Sequence, residues 1–194
     1  MTTSTDAHDH TTSDAAGGLR RPVWRHWPAL LGLAAATSQV VLGVDAEGVA
    51  ITVAVAGSCY LAAAASGRRW MAWAGIVLGT AAAVVAETAG LPWWTGLAGY
   101  GVVLVAVGLM LRGRVVTLAE QGLAMVGFGG VAVVALAVSP RLGLGLAGLV
   151  LAAHALWDWR HWRRDDVVPR SMAEFCFLLD VPLGLTALAV AVAG

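Results

Sequence analysis

Apolar residues run along this chain in blocks of about twenty, and the breaks between them fall at glycine, proline, aspartate and arginine. A membrane-crossing helix needs about 20 mostly apolar residues. The pattern therefore predicts an all-α, polytopic membrane bundle of seven transmembrane helices. The first covers 28 to 44, with Pro28 at a first-turn position. The second covers 46 to 66, with Asp45 as N-cap and Gly67 as the stop. The third covers 70 to 89, closed by Gly90, and the fourth runs from Pro92 to Leu111. The fifth follows Thr117-Leu-Ala-Glu120, read as a capping box, and reaches Val138. The sixth opens at Ser139-Pro140 and ends near Trp159; the seventh follows a second box, Ser171-Met-Ala-Glu174, and continues to Gly194.

Charge placement agrees with this count. Every basic side chain other than histidine is arginine, and all arginines except Arg141 fall on one side of a seven-helix alternation. The positive-inside rule then places the N-terminus in the cytoplasm and the C-terminus outside. Trp24, Trp27, Trp70, Trp73, Trp157, Trp159 and Trp162 would form an inner aromatic belt, and Trp93 and Trp94 an outer one. Small residues four apart (Gly75 and Gly79, Thr95 and Gly99, Gly143 and Ala147, Gly148 and Ala152) mark faces where helix backbones approach closely.

Composition sharpens the class. The chain is 59% hydrophobic and 12% charged, against roughly 25% charged in an ordinary soluble domain. The location expected is the plasma (inner) membrane, multi-pass, with the lipid bilayer as first partner. Zero net charge gives no attraction to nucleic acid. The absence of lysine excludes Schiff-base chemistry, retinal attachment included. Residues 1–19 are polar and unpatterned, a disordered tail ahead of a membrane domain spanning 20–194; its His8-Asp9-His10 triplet reads as solvated. Cys59 and Cys176 lie in apolar runs and read as free thiols.

Ionisable groups in a bilayer core cost roughly 2.5–3.5 kcal/mol each on insertion scales, so each requires an account. Glu120 and Glu174 have one as capping residues. Asp45 and Glu47 sit at an outer helix end, Asp165 and Asp166 in a polar loop, and Gln39 reads as interhelical hydrogen-bond glue. Glu87, near the outer end of helix 3, is a candidate acid. His154, Asp158 and His161 remain, at i, i+4 and i+7, on one face of helix 6. An imidazole and a hard carboxylate there offer ligands for a divalent metal, or a histidine oriented for acid–base work. Asp180 lies about 12 Å into helix 7 and His154 about 8 Å into helix 6 from the same end, so the two share a depth. Cys176 is one turn before Asp180. Pro182 should bend helix 7 beside it, and together these features point to a cytoplasm-facing pocket.

The residues HALWDWRHWRR…VVPR…FC…D, from His154 to Asp180, resemble a pattern, H-x-x-W-D-x-x-H…V-P-R…F-C-x-x-x-D, found in small uncharacterised bacterial multi-pass membrane proteins. The match covers about the last 40 residues and brings no reaction with it. The general arrangement is also similar to that of the small integral-membrane terpene cyclases, with Asp180 and Glu87 as counterparts of their buried acids; no shared motif carries that likeness.

Two functions from different classes follow. One is an intramembrane enzyme of cyclase or isomerase type acting on a lipid or isoprenoid that enters laterally. Asp180 would be its general acid, and His154 with Asp158 the base and its orienter, or, with His161, the ligands of a metal. The other is a small proton-coupled transporter, or a membrane subunit without catalysis. A purely structural role for the same carboxylates is the third reading.

Overall fold

The computed structural model describes residues 26–111 and 114–194. The tail expected over residues 1–19, and Arg20, Arg21, Trp24, Arg25 and Arg112, lie outside them. Among the described residues seven α-helices follow one another: α1 (Trp27–Leu42), α2 (Ala46–Ser66), α3 (Met71–Thr88), α4 (Trp93–Met110), α5 (Val115–Ala135), α6 (Pro140–Arg164) and α7 (Arg170–Ala193). Six of them, α2 to α7, are long and apolar enough to cross a membrane, the pattern of a multi-pass membrane protein. The first is shorter than its apolar run suggested, at 16 residues. Gly43, at φ 108°, ends it beyond Leu42, in a conformation that side chains rarely adopt.

Some helix ends follow their local chemistry. Asp45 accepts the Gly48 amide at 2.9 Å and starts α2; Gly67, at φ 64°, ends it in the left-handed region. The two capping boxes do not form. Arg114 and Pro169 occupy the N-cap positions of α5 and α7, so Thr117 and Ser171 lie inside the first turns. Glu120 instead pairs with Arg160 of α6. The Ser171 hydroxyl accepts Trp73 Nε1 at 3.4 Å. Helix α6 outruns its expected end by more than a turn, to Arg164. Its last turn carries His161, Arg163 and Arg164, and cationic side chains favour the negative end of a helix dipole.

Helix α2 forms the centre. It touches α3, α4, α5, α6 and α7, and residues from Val49 to Ala65 are mostly buried. The most extensive contact joins α6 to α7, and α1 lies against α7. Glycines set these approaches. A Cβ on Gly75 would stand 2.7 Å from the Cα of Cys59, and one on Gly79 2.6 Å from Ser58 Oγ, so α3 lies directly on α2. Gly32 of α1 packs on the backbone of α7 at Phe175, and Gly143 on that of Ala135. The expected Thr95/Gly99 pair does not pack, since Gly99 meets open space; its neighbour Gly96 abuts Ala82 instead. Gln39 accepts the Thr52 hydroxyl at 3.2 Å, the expected bond between α1 and α2.

The aromatic belts are only partly outward. Trp27, Trp70, Trp94, Trp159 and Trp162 are exposed, but Trp93 is 3% exposed and belongs to the core. Trp157 turns inward too, to a hydrogen bond with Gln121.

Candidate functional site

The site's histidine and two carboxylates come from two adjacent helices. His154 and Asp158 project from one face of α6, and Asp180 from the facing side of α7. His154 lies ten residues before the end of α6, and Asp180 ten residues after the start of α7. At 1.5 Å per residue both stand about 15 Å in from the shared loop. Close approach keeps them level: Gly148 and Gly184 bring α6 and α7 nearly backbone to backbone on the turns beyond.

All three side chains are buried, at 1%, 0% and 0% exposure. The His154 Nδ1–H donates to Asp180 Oδ2 at 2.8 Å. Asp158 Oδ2 lies 3.6 Å from the same nitrogen, so two carboxylates flank one imidazole edge. The group comes together as expected, but as an enclosed cluster. Clefts on the bundle surface are walled by other residues.

Two residues complete the cluster that sequence reasoning passed over. Tyr60 of α2 donates its phenol hydrogen to Asp158 Oδ1 at 2.7 Å. Its ring stands edge-on to both histidines, with centroids 5.8 Å from His154 and 4.9 Å from His161. Gln121 of α5, fully buried, accepts the Trp157 indole N–H at 3.2 Å. It also lies 3.3 Å from His161 Nε2. A tyrosine and a glutamine inside apolar helices were the available signals, because a buried hydroxyl or amide must find a partner.

His161 lies apart from the expected metal set. Its Nδ1–H donates to the Trp157 carbonyl at 2.9 Å, which leaves Nε2 to accept the Gln121 amide. Both ring nitrogens are engaged, and Asp180 joins His154 and Asp158 instead. Glu87 is likewise not part of the cluster: it is exposed, next to the last residue of α3. Pro182 does not end α7, which continues through it to Ala193.

Two carboxylate oxygens in the cluster have no hydrogen-bond partner, Asp158 Oδ2 and Asp180 Oδ1. In native proteins such atoms are rare enough to require a reason. Cys59 and Cys176, both free and buried, pack beside the cluster with Tyr60 and Met172. On the α5 side, Phe128 stands edge-on to His154 with ring centroids 5.1 Å apart.

A clamp holds the loop between α6 and α7. Arg69, from the α2–α3 turn, donates to the Val168 carbonyl from Nε at 3.2 Å and Nη2 at 2.7 Å, and pairs with Asp165. Within the loop Asp165 and Val167 take positive φ of 51° and 57°, strained for side-chain-bearing residues. The hydrogen bond from Arg69 holds the Asp165 carboxyl below its usual range, despite partial desolvation. No known protein family, curated protein or solved structure matches this chain.

Proposed function

We propose that this chain is a plasma-membrane enzyme whose His154–Asp158–Asp180 cluster performs acid–base chemistry on a hydrophobic substrate, a lipid or isoprenoid entering from the bilayer. The observation that carries the reading is a desolvated imidazole flanked by two carboxylates, with one oxygen on each left unpartnered. In its protonated form Asp180, hydrogen-bonded to His154, gives a proton to the substrate; His154 takes one from the substrate and returns it to Asp180 across their hydrogen bond, and Asp158, held by Tyr60, orients the ring.

Access is the requirement such an enzyme must meet. Helices α5 and α6 leave an apolar cleft of about 710 Å³ between them, walled by Leu123, Val131, Leu146 and Leu149. Its inner wall includes Phe128 and Trp157, and Phe128 is the ring against His154. Phe128 thus borders both the cleft and the acid–base pair, and its rotation would be the gate. The arginine distribution sets the cluster nearer the cytoplasmic face.

Lipid extracts of cells producing the wild type, Asp180→Asn and Phe128→Ala test this. At least one lipid species should change in abundance with the wild type and revert with Asp180→Asn. Phe128→Ala should shift the product distribution. Identical profiles in all three would remove the enzyme reading and leave a membrane subunit without catalysis.

A further inference from the structure

We infer that the same cluster is a binding site for one divalent first-row metal ion, with His154 Nδ1 and one oxygen each of Asp158 and Asp180 as ligands. The inference rests on the reading above only in treating these residues as a site; a metal could be held there without catalysis. Three observations carry it.

The first is spacing. Donor atoms bound at about 2.1 Å, at angles of roughly 90–109°, stand about 3.0–3.4 Å apart. The imidazole nitrogen lies 2.8 Å from Asp180 Oδ2 and 3.6 Å from Asp158 Oδ2, and the three donor atoms all fall within 4.8 Å of one another. Replacing the proton between His154 and Asp180 by an ion requires shifts of a few tenths of an ångström in the two nitrogen–oxygen distances.

The second is the pair of unpartnered oxygens, Asp158 Oδ2 and Asp180 Oδ1, on side chains that are fully buried. An ion at this point would give Asp158 Oδ2 the partner it lacks.

The third is charge. With an ion bound, where the imidazole is neutral, the two carboxylates supply the two negative charges that a divalent cation balances, and among the described residues the hydrogen-bonded neighbour is a neutral phenol, Tyr60. Arg160 is turned to Glu120, and Arg69 to Asp165. Unbalanced charge at membrane depth is costly, and one divalent cation cancels it. A nitrogen with two carboxylate oxygens suits Mn²⁺, Fe²⁺, Co²⁺ or Zn²⁺ and does not suit soft Cu⁺. Tyr60 then serves as the partner that fixes the Asp158 carboxylate, as outer groups do around metal ligands.

The test is metal content and cobalt spectroscopy of full-length protein purified in detergent without nickel resin. After incubation with Mn²⁺, Fe²⁺, Co²⁺ or Zn²⁺ singly and desalting, the wild type should retain about one equivalent of at least one ion. Co²⁺ should give visible d–d absorption that Zn²⁺ or Mn²⁺ abolishes. Asp158→Asn and Asp180→Asn, isosteric with the native residues, should lose the bound ion, while Asp45→Asn, which keeps its cap, should retain it. Tyr60→Phe should weaken binding about 10–100-fold. Retention below a tenth of an equivalent for all four ions, with no cobalt band and no rise in the wild-type melting temperature, would overturn the inference. Retention undiminished in both Asp variants would overturn it equally. Neither result depends on lipid profiles, so a bound metal with unchanged lipids would reject catalysis and keep the metal site.

Discussion

Gly148 on α6 and Gly184 on α7 meet so closely that a Cβ on Gly184 would stand 2.9 Å from the Gly148 carbonyl oxygen and from the Ala152 amide nitrogen. The contact is backbone on backbone, so no side-chain rotation relieves it. Gly184→Ala should therefore part the two helices and destabilise the protein by about 1–3 kcal/mol, as overpacking does. Thermal unfolding in detergent measures the loss. Gly99→Ala, at a position with open space around it, is the matched control and should melt as the wild type.

Tyr60→Phe removes one hydroxyl and leaves Asp158 Oδ1 without a partner in a dry interior. A buried acceptor deprived of its donor costs about 1–3 kcal/mol. The melting temperature should fall, and simultaneous Asp158→Leu should recover part of the loss, because the orphaned oxygen is then gone. A double-mutant cycle reads this directly; strict additivity would show that the bond carries no coupling.

The Arg69 clamp gives a pH dependence of known sign. Asp165 is held below its ordinary value of 3.8 by the Arg69 hydrogen bond. A carboxyl depressed on folding adds stability above its unfolded value, and that contribution is lost as pH falls through the folded value. The wild type should thus melt higher than Asp165→Asn at pH 5 to 7, and the gap should close as pH drops below about 4. Because the pair is exposed, salt should narrow the gap as well. Arg69→Ala should cost more than Asp165→Asn, since it also strips two hydrogen bonds from the Val168 carbonyl.

Cys59 and Cys176 are 0% and 4% exposed. Neither should react with a thiol-directed maleimide in the folded protein, and both should react after denaturation. Fast labelling of Cys176 in Gly184→Ala would report that the α6–α7 seam has opened.

Much of this architecture was legible residue by residue. Hydropathy located the helices, and Asp45 and Gly67 marked the bounds of α2 because a cap bond and a left-handed glycine act locally. The capping boxes failed because Arg114 and Pro169 start α5 and α7 three and two residues earlier, and Glu120 pairs with Arg160. In the site, equal depth on adjacent antiparallel helices was enough to bring Asp180 to His154. The partners of His161 were not legible because periodicity gives the face of a helix and not the neighbours beyond it; Gln121 and the Trp157 carbonyl take both its nitrogens. Tyr60 was invisible for the same reason, its partner lying 98 positions away. Glu87 drew notice only by being an acid in an apolar run, and it faces outward.

The central position of α2 bears on how the protein is made. Ribosomes deliver this helix four segments ahead of α6, so its phenol is made before Asp158. His154 in turn waits for α7 to bring Asp180. The polar contacts are thus completed last, by the final pair of helices. A chain ending before α7 would keep Asp158 as the one carboxylate beside His154 among the described residues.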